Sequence, residues 1–135
     1  MTGEPGETVE QLRARLLALP EATEEEPFGP GVLVFKVCDK MFAVLPEDPG
    51  DGVPEVTLKC DPGWAMHLRA QYAAVRPGYH TNKRHWNTVT LDGSVPADEL
   101  VEMVEHSYER VVEGLRRDDR ERLRTALRAR PRPPR

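Results

Sequence analysis

Apolar residues near the start of the chain recur at three- and four-residue intervals, with Val9, Leu12, Leu16 and Leu19 forming one stripe. That is a helical period, with Thr8 as its N-cap and Pro20 as its stop. The period then shortens. "ATEEEPF" (Ala22 to Phe28) reads as an edge strand, because Pro27 cannot donate to a ladder, and Gly29 to Gly31 supply the turn after it. "VLVFKV" (Val32 to Val37) and "KMFAVL" (Lys40 to Leu45) are β-rich runs separated only by Cys38 and Asp39, the signature of a hairpin. Leu33, Phe35 and Val37 fall on one face of the first run and Val32 and Val34 on the other, so both faces call for cover.

Past the acidic, turn-rich stretch from Pro46 to Pro54, "EVTLKC" alternates cleanly: Val56, Leu58 and Cys60 point one way, Thr57 and Lys59 the other. "CDPGWAMHLRAQY" then opens a second helix, with Asp61 as N-cap, Pro62 in the first helical position, and Trp64, Ala65, Leu68 and Tyr72 on its buried side. A last strand runs from Trp86 to Leu91 and stops at the turn Asp92-Gly93. The final helix starts near Pro96, keeps its period through Leu100, Val104, Ser107, Tyr108, Val111 and Leu115, and is expected to extend to about Ala129 before fraying. The order is helix, three or four strands, helix, strand, helix. It predicts an α+β fold: a two-layer sandwich with an antiparallel sheet of four to five strands and helices on one face.

A chain of 135 residues with 39% hydrophobic and 31% charged residues suits one globular domain and excludes fibrous or wholly disordered classes. We divide it into a body, residues 1–115, and an Arg-rich C-terminal extension, residues 116–135, expected to be partly helical or disordered. The first residues lack the basic and apolar regions of a secretory leader, and no apolar run reaches membrane-spanning length, so a cytoplasmic protein without membrane contact is expected. Cys38 and Cys60 lack metal or redox spacing and read as free thiols. Charge sharpens the division. The extension holds nine arginines and three acids, a net of +6, so that with a whole-chain charge of −4 the body carries −10. An acidic body repels nucleic acid at long range, and any such contact needs a local basic patch or the tail.

The chemistry-bearing cluster is "GYHTNKRHWNTV" (Gly78 to Val89). With Val89 and Leu91 in the core, strand geometry turns Trp86, Thr88 and Thr90 to the second sheet face, beside Thr57, Lys59, Val32, Val34 and Lys36. Arg76, Tyr79, His80, Lys83, Arg84 and His85 would rim one end of that face. Cations for phosphates, Tyr79 and Trp86 for stacking, and Asn82 and Asn87 for base edges fit nucleic acid. The same residues fit a strand anchor, turn-holding asparagines and a solvated rim. His80 and His85, five apart, match no metal-ligand spacing, so no metal or cofactor is expected. Cys60 precedes a helix N-terminus, yet no hydrolase, Walker or dinucleotide motif supports a reaction, and no catalytic residue is assigned.

"PFGPGVLVFKV", "DKMFAVL", "LKCDPGWAMHLRAQY", "VRPGYHTNKRHWNTVTLDG" and "LVEMVEHSYERVV" together resemble the MmcQ/YjbR family of small bacterial proteins over about Leu12 to Leu115. The "RPGYHTNKRHWNTV" block is the most specific part. The resemblance implies a compact fold similar to frataxin-like and secretion-chaperone-like sandwiches, and DNA binding of a double-wing kind. Carried onto this chain, it implies Lys83, Arg84, His85 and Trp86 as DNA-facing residues, with Arg76, Tyr79, His80 and Asn82 beside them. The expectation is therefore a weak, non-enzymatic DNA-binding protein using segment 76–90. The alternative is a protein- or small-molecule-binding module that uses the mixed second sheet face, self-association included.

Overall fold

The computed structural model of the protein describes residues 9–46, 52–78 and 82–130. Helix α1 (Val9–Leu17) buries Leu12 and Leu16 and is followed by strands β1 (Thr23–Glu25), β2 (Val32–Val37), β3 (Lys40–Pro46) and β4 (Glu55–Lys59). Helix α2 (Pro62–Gln71), β5 (Val75–Pro77), β6 (Trp86–Thr90), α3 (Ala97–Glu113) and α4 (Arg117–Ala129) complete the described chain. The six strands form one sheet in the order β1-β2-β3-β4-β6-β5, with every pairing antiparallel. The class is the expected α+β with one more strand than the sequence indicated. The addition is β5, three residues with a proline at its end, too short for an alternation to register.

Cross-strand partners assign the two faces. Leu33 pairs with Leu45, Phe35 with Ala43, Ala43 with Leu58, and Val56 and Val75 with Val89. These residues are buried and face the helices: α3 crosses β2, β3 and β4, α2 covers β5 and β6, and α1 packs on β3. The opposite face carries Val34 with Val44, Thr57 with Thr88, and Lys59 with Trp86, as strand geometry predicts. The Cys38–Asp39 connection has φ of 48° and 65°, the two positive values a type I′ hairpin turn demands, here met without glycine.

Strands β3 and β4 pair at only two positions, Ala43 with Leu58 and Val44 with Thr57. At the next level, Phe42 and Lys59, the hydroxyl of Ser107 on α3 enters the ladder. It accepts the Lys59 N–H at 2.8 Å and donates to the Phe42 carbonyl. The neighbouring His106 accepts the Asp61 N–H through Nε2 at 3.0 Å and meets the Trp64 ring edge-on at 4.6 Å. Asp61 caps α2 by accepting the Trp64 N–H at 3.1 Å, which holds its carboxyl below the usual range.

The Arg-rich segment corrects one expectation. It does not prolong α3. Gly114 ends that helix, and α4 folds back to place Leu123 in the core at 0% exposure, with Leu127 packed beside it. Arg122 grips Glu21 with two hydrogen bonds, at 2.7 and 3.0 Å, and reaches Asp119 at 2.8 Å, while Arg130 pairs with Glu105. Most of the extension is thus a docked helix of the same domain.

Candidate nucleic-acid interface

The cluster folds around an arginine. Arg69 lies in the last turn of α2 and donates through Nε to Asn87 Oδ1 at 2.7 Å and through Nη2 to the carbonyls of both Lys83 and Trp86. Asn82 closes the turn from the other side. Its side-chain oxygen accepts the Arg84 N–H at 3.0 Å and its carbonyl accepts the His85 N–H at 3.1 Å, the Asx geometry that favours asparagine before a turn. The His85 carbonyl in turn accepts the Cys60 N–H at 2.7 Å, tying the turn to the end of β4. These bonds hold the backbone and leave the Lys83 and Arg84 side chains exposed, without a carboxylate partner among the described residues.

The other expected residues divide. Tyr79 and His80 lie outside the described residues. His85, just before β6, is half-buried. Arg76 sits on the edge strand β5, where it pairs with Glu55 and donates to Thr90 Oγ1 at 2.8 Å, so its charge is already answered. Trp86 is on the second face but only 8% exposed, which leaves little of the indole for stacking; it acts as the anchor of β6. Asn87 corrects an expectation outright. It faces the helices, 3% exposed, accepting from Arg69 and donating to the Ala65 carbonyl, and offers nothing to a base edge.

The comparisons with known proteins meet this geometry. A family model described as YjbR matches residues 17–110. The chain belongs to the YjbR family. It is 36% identical over 116 residues to the Escherichia coli K12 protein YjbR, covering 86% of this chain and 97% of that one. It is 37% identical over 98 residues to E. coli O157:H7 YbdF, covering 73% of this chain and 79% of that protein. Both relatives are named as uncharacterised. Among solved structures, Deinococcus radiodurans DR2400, of domain DUF419, superposes with a TM-score of 0.77 at 39% identity, covering 90% of this chain and 91% of that chain. A Pseudomonas syringae crystal structure gives 0.63 at 29% identity, covering 73% and 93%. The family match thus spans the basic turn and Arg69, and stops before α4.

The remaining chemistry of the family core in this chain is sparse. Burial, with the Asp61 carboxylate beside it, pushes the Cys60 thiol up to about 11, so at neutral pH it is a protonated core residue and not an activated nucleophile. A small cavity lined by Leu58, Lys59, Cys60, Leu68, Asn87, Val89 and Met103 has a volume of about 10 Å³, room for one water and no metabolite. No group of three or more metal-ligating side chains occurs among the described residues. Nor is any described helix long and apolar enough to cross a membrane.

Arg69 is the functional-site residue that the sequence reading passed over. Its signal was present: Ala65, Leu68, Arg69 and Tyr72 are spaced i, i+3, i+4, i+7, so a charge occupies the buried stripe and needs partners.

Proposed function

We propose that the protein binds DNA weakly through the phosphate backbone, without reading bases and without catalysing a reaction on it. The observation that carries this reading is the turn at 82–85, whose backbone is fixed by Asn82 and Arg69 while Lys83 and Arg84 project unpaired. A pre-ordered pair of cations loses little freedom on meeting phosphates, and phosphate contacts position a protein without carrying sequence information. The burial of Trp86 and Asn87 removes two groups that could have read or stacked bases, which favours backbone contact. A high thiol pKa at Cys60 favours a binding role over catalysis, and free cysteines suit a cytoplasmic site of action.

The competing reading, an apolar partner site on the second sheet face, finds less support. The large hydrophobic side chains exposed among the described residues are Leu17, Phe28, Val53 and Met66, none of which belongs to a strand, and Val34 on that face is 1% exposed. Fluorescence anisotropy with labelled duplex and single-stranded DNA tests the proposal. The full chain should bind in a salt-sensitive manner, and Lys83→Ala/Arg84→Ala should abolish most of it. The contribution of α4 is measured with Arg124→Ala/Arg128→Ala, both exposed, because truncation at Leu115 would strip Leu123 from the core. Loss of binding in the α4 variant and not in the turn variant would refute the proposed site.

A further inference from the structure

Antiparallel pairing gathers four chain positions at one end of the sheet: the Cys38–Asp39 turn, the end of β4, the end of β5 and the turn leading into β6. Lys40 opens β3, Lys59 closes β4, and Lys83 and Arg84 stand just before β6, so the topology brings together cations 19 to 44 residues apart in sequence. Lys59 is the direct cross-strand neighbour of Trp86 on the second face, whereas Lys40 pairs with Val37 on the helix-facing side, so the two flank the end of the sheet from opposite faces. Lys40 is two residues from Phe42, which is level with Lys59 through the Ser107 bridge.

Pairing separates these four from other basic residues. Arg13 is matched by Glu24, Lys36 by Glu25, Arg76 by Glu55, Arg122 by Glu21 and Asp119, and Arg130 by Glu105. Among the described residues, Lys40, Lys59, Lys83 and Arg84 have no carboxylate partner. The opposite end of the sheet carries Glu26, Glu55 and Asp92, with Asp98 and Glu99 in the first turn of α3. Asp39, Asp61, Glu21 and Asp119 share the basic end, but the Asp61 carboxylate is turned to the Trp64 N–H of α2, and Glu21 and Asp119, beside Cys38, are paired with Arg122. Cations without a carboxylate partner therefore gather at this end of the sheet, while Asp61, Glu21 and Asp119 there are held by other groups. Such a charge distribution orients a polyanion toward one end even where the net charge opposes it.

We propose that Lys40 and Lys59 form one phosphate-binding surface with Lys83 and Arg84, a basic end of the sheet that takes the DNA backbone. This rests on the DNA reading above and enlarges its site from one turn to three strands. Adjacent strands lie about 4.8 Å apart, so the row from β3 across β4 to β6 spans roughly 10 Å. At about 3.4 Å per phosphate along one strand of a duplex, that width covers about three intervals and so faces about four phosphates. Lysines at strand ends also keep sheets soluble, a role that would give them no part in binding.

The salt dependence separates the two roles. With four phosphate contacts on a duplex, log Kobs should fall with log[salt] at a slope of about −3.6, and removing two cations should bring it to about −1.8. Anisotropy titrations of the full chain on a labelled duplex across a salt series are run for four variants. Lys40→Ala/Lys59→Ala and Lys83→Ala/Arg84→Ala should each halve the slope. Lys36→Ala, whose ammonium is matched by Glu25, and Arg124→Ala/Arg128→Ala on α4 should leave it unchanged, with thermal melts verifying that each variant is folded. If the slope responds to Lys83 and Arg84 but not to Lys40 and Lys59, the enlarged surface is wrong and the DNA reading stands. Absence of salt-sensitive binding by the unaltered chain overturns both.

Discussion

Replacing Ser107 with alanine removes one hydroxyl and strands two backbone groups. In the native fold that oxygen accepts the Lys59 N–H and donates to the Phe42 carbonyl, at a residue with 0% exposure. The alanine methyl offers neither a donor nor an acceptor. Leaving a buried polar group unsatisfied costs about 1–3 kcal/mol. The carbonyl, with two lone pairs, tolerates the loss better than the N–H, so we expect a total of about 3 kcal/mol. In a domain of this size, that lowers Tm by roughly 10 °C. Urea unfolding should show a lower midpoint at constant m, and hydrogen exchange at the Lys59 amide should accelerate more than at neighbouring ladder amides. A loss below about 0.5 kcal/mol, with the Lys59 amide still protected, would refute the reasoning. It would mean that β3 and β4 close on one another and form the direct ladder bond that the hydroxyl now replaces.

Three further outcomes follow from the same packing. Leu123→Ala should destabilise by about 2–5 kcal/mol by calorimetry or urea unfolding, since it empties a fully buried site; a surface-like loss below about 0.5 kcal/mol would show that α4 is not part of the domain. Burial, with Arg110 beside it, holds the His106 imidazole below its ordinary 6.5, and the neutral ring accepts the Asp61 N–H. Because the folded-state pKa is the lower one, this contribution is complete above 6.5 and is lost as pH falls through the folded value. The Glu21 and Glu24 pairs follow only below their ordinary 4.5. Stability measured from pH 7 to 5 should therefore fall in the native chain and stay nearly flat in His106→Gln, and equal slopes would count against the assignment. Arg69→Met should leave the fold intact but broaden the backbone NMR signals of residues 82–87; unchanged signals would show that Asn82 alone holds the turn.

Much of the fold was legible because its elements announce themselves in side-chain period. The hairpin at 32–45 and the capped start of α2 at Asp61-Pro62 lie within a residue of where the sequence puts them. The face assignment of Trp86, Thr88 and Thr90 follows from alternation alone. β5 was missed because three residues hold no period, and α4 was merged with α3 because the apolar spacing runs on past Gly114. What the sequence could not weigh was partnership. Arg76, Lys59 and Lys83 look alike as isolated cations, yet one is answered by Glu55 and the others have no carboxylate partner among the described residues, a difference set by strand register. Asn87 and Trp86 likewise read as polar and aromatic contact groups, yet Asn87 faces the helices and Trp86, though on the second face, is buried.

The corner around Pro20 and Glu21 joins the two ends of the chain. Tyr108 donates to the Pro20 carbonyl across 88 residues, and Arg122 holds Glu21, at φ 59°, across 101. Contacts so distant in sequence close large loops and are reached after the local hairpin and helices have formed. The corner is therefore expected to be open at the folding barrier. Strengthening it would leave the rate of folding nearly unchanged and slow unfolding, so the Arg122 clamp sets how long the native state lasts more than how quickly it forms.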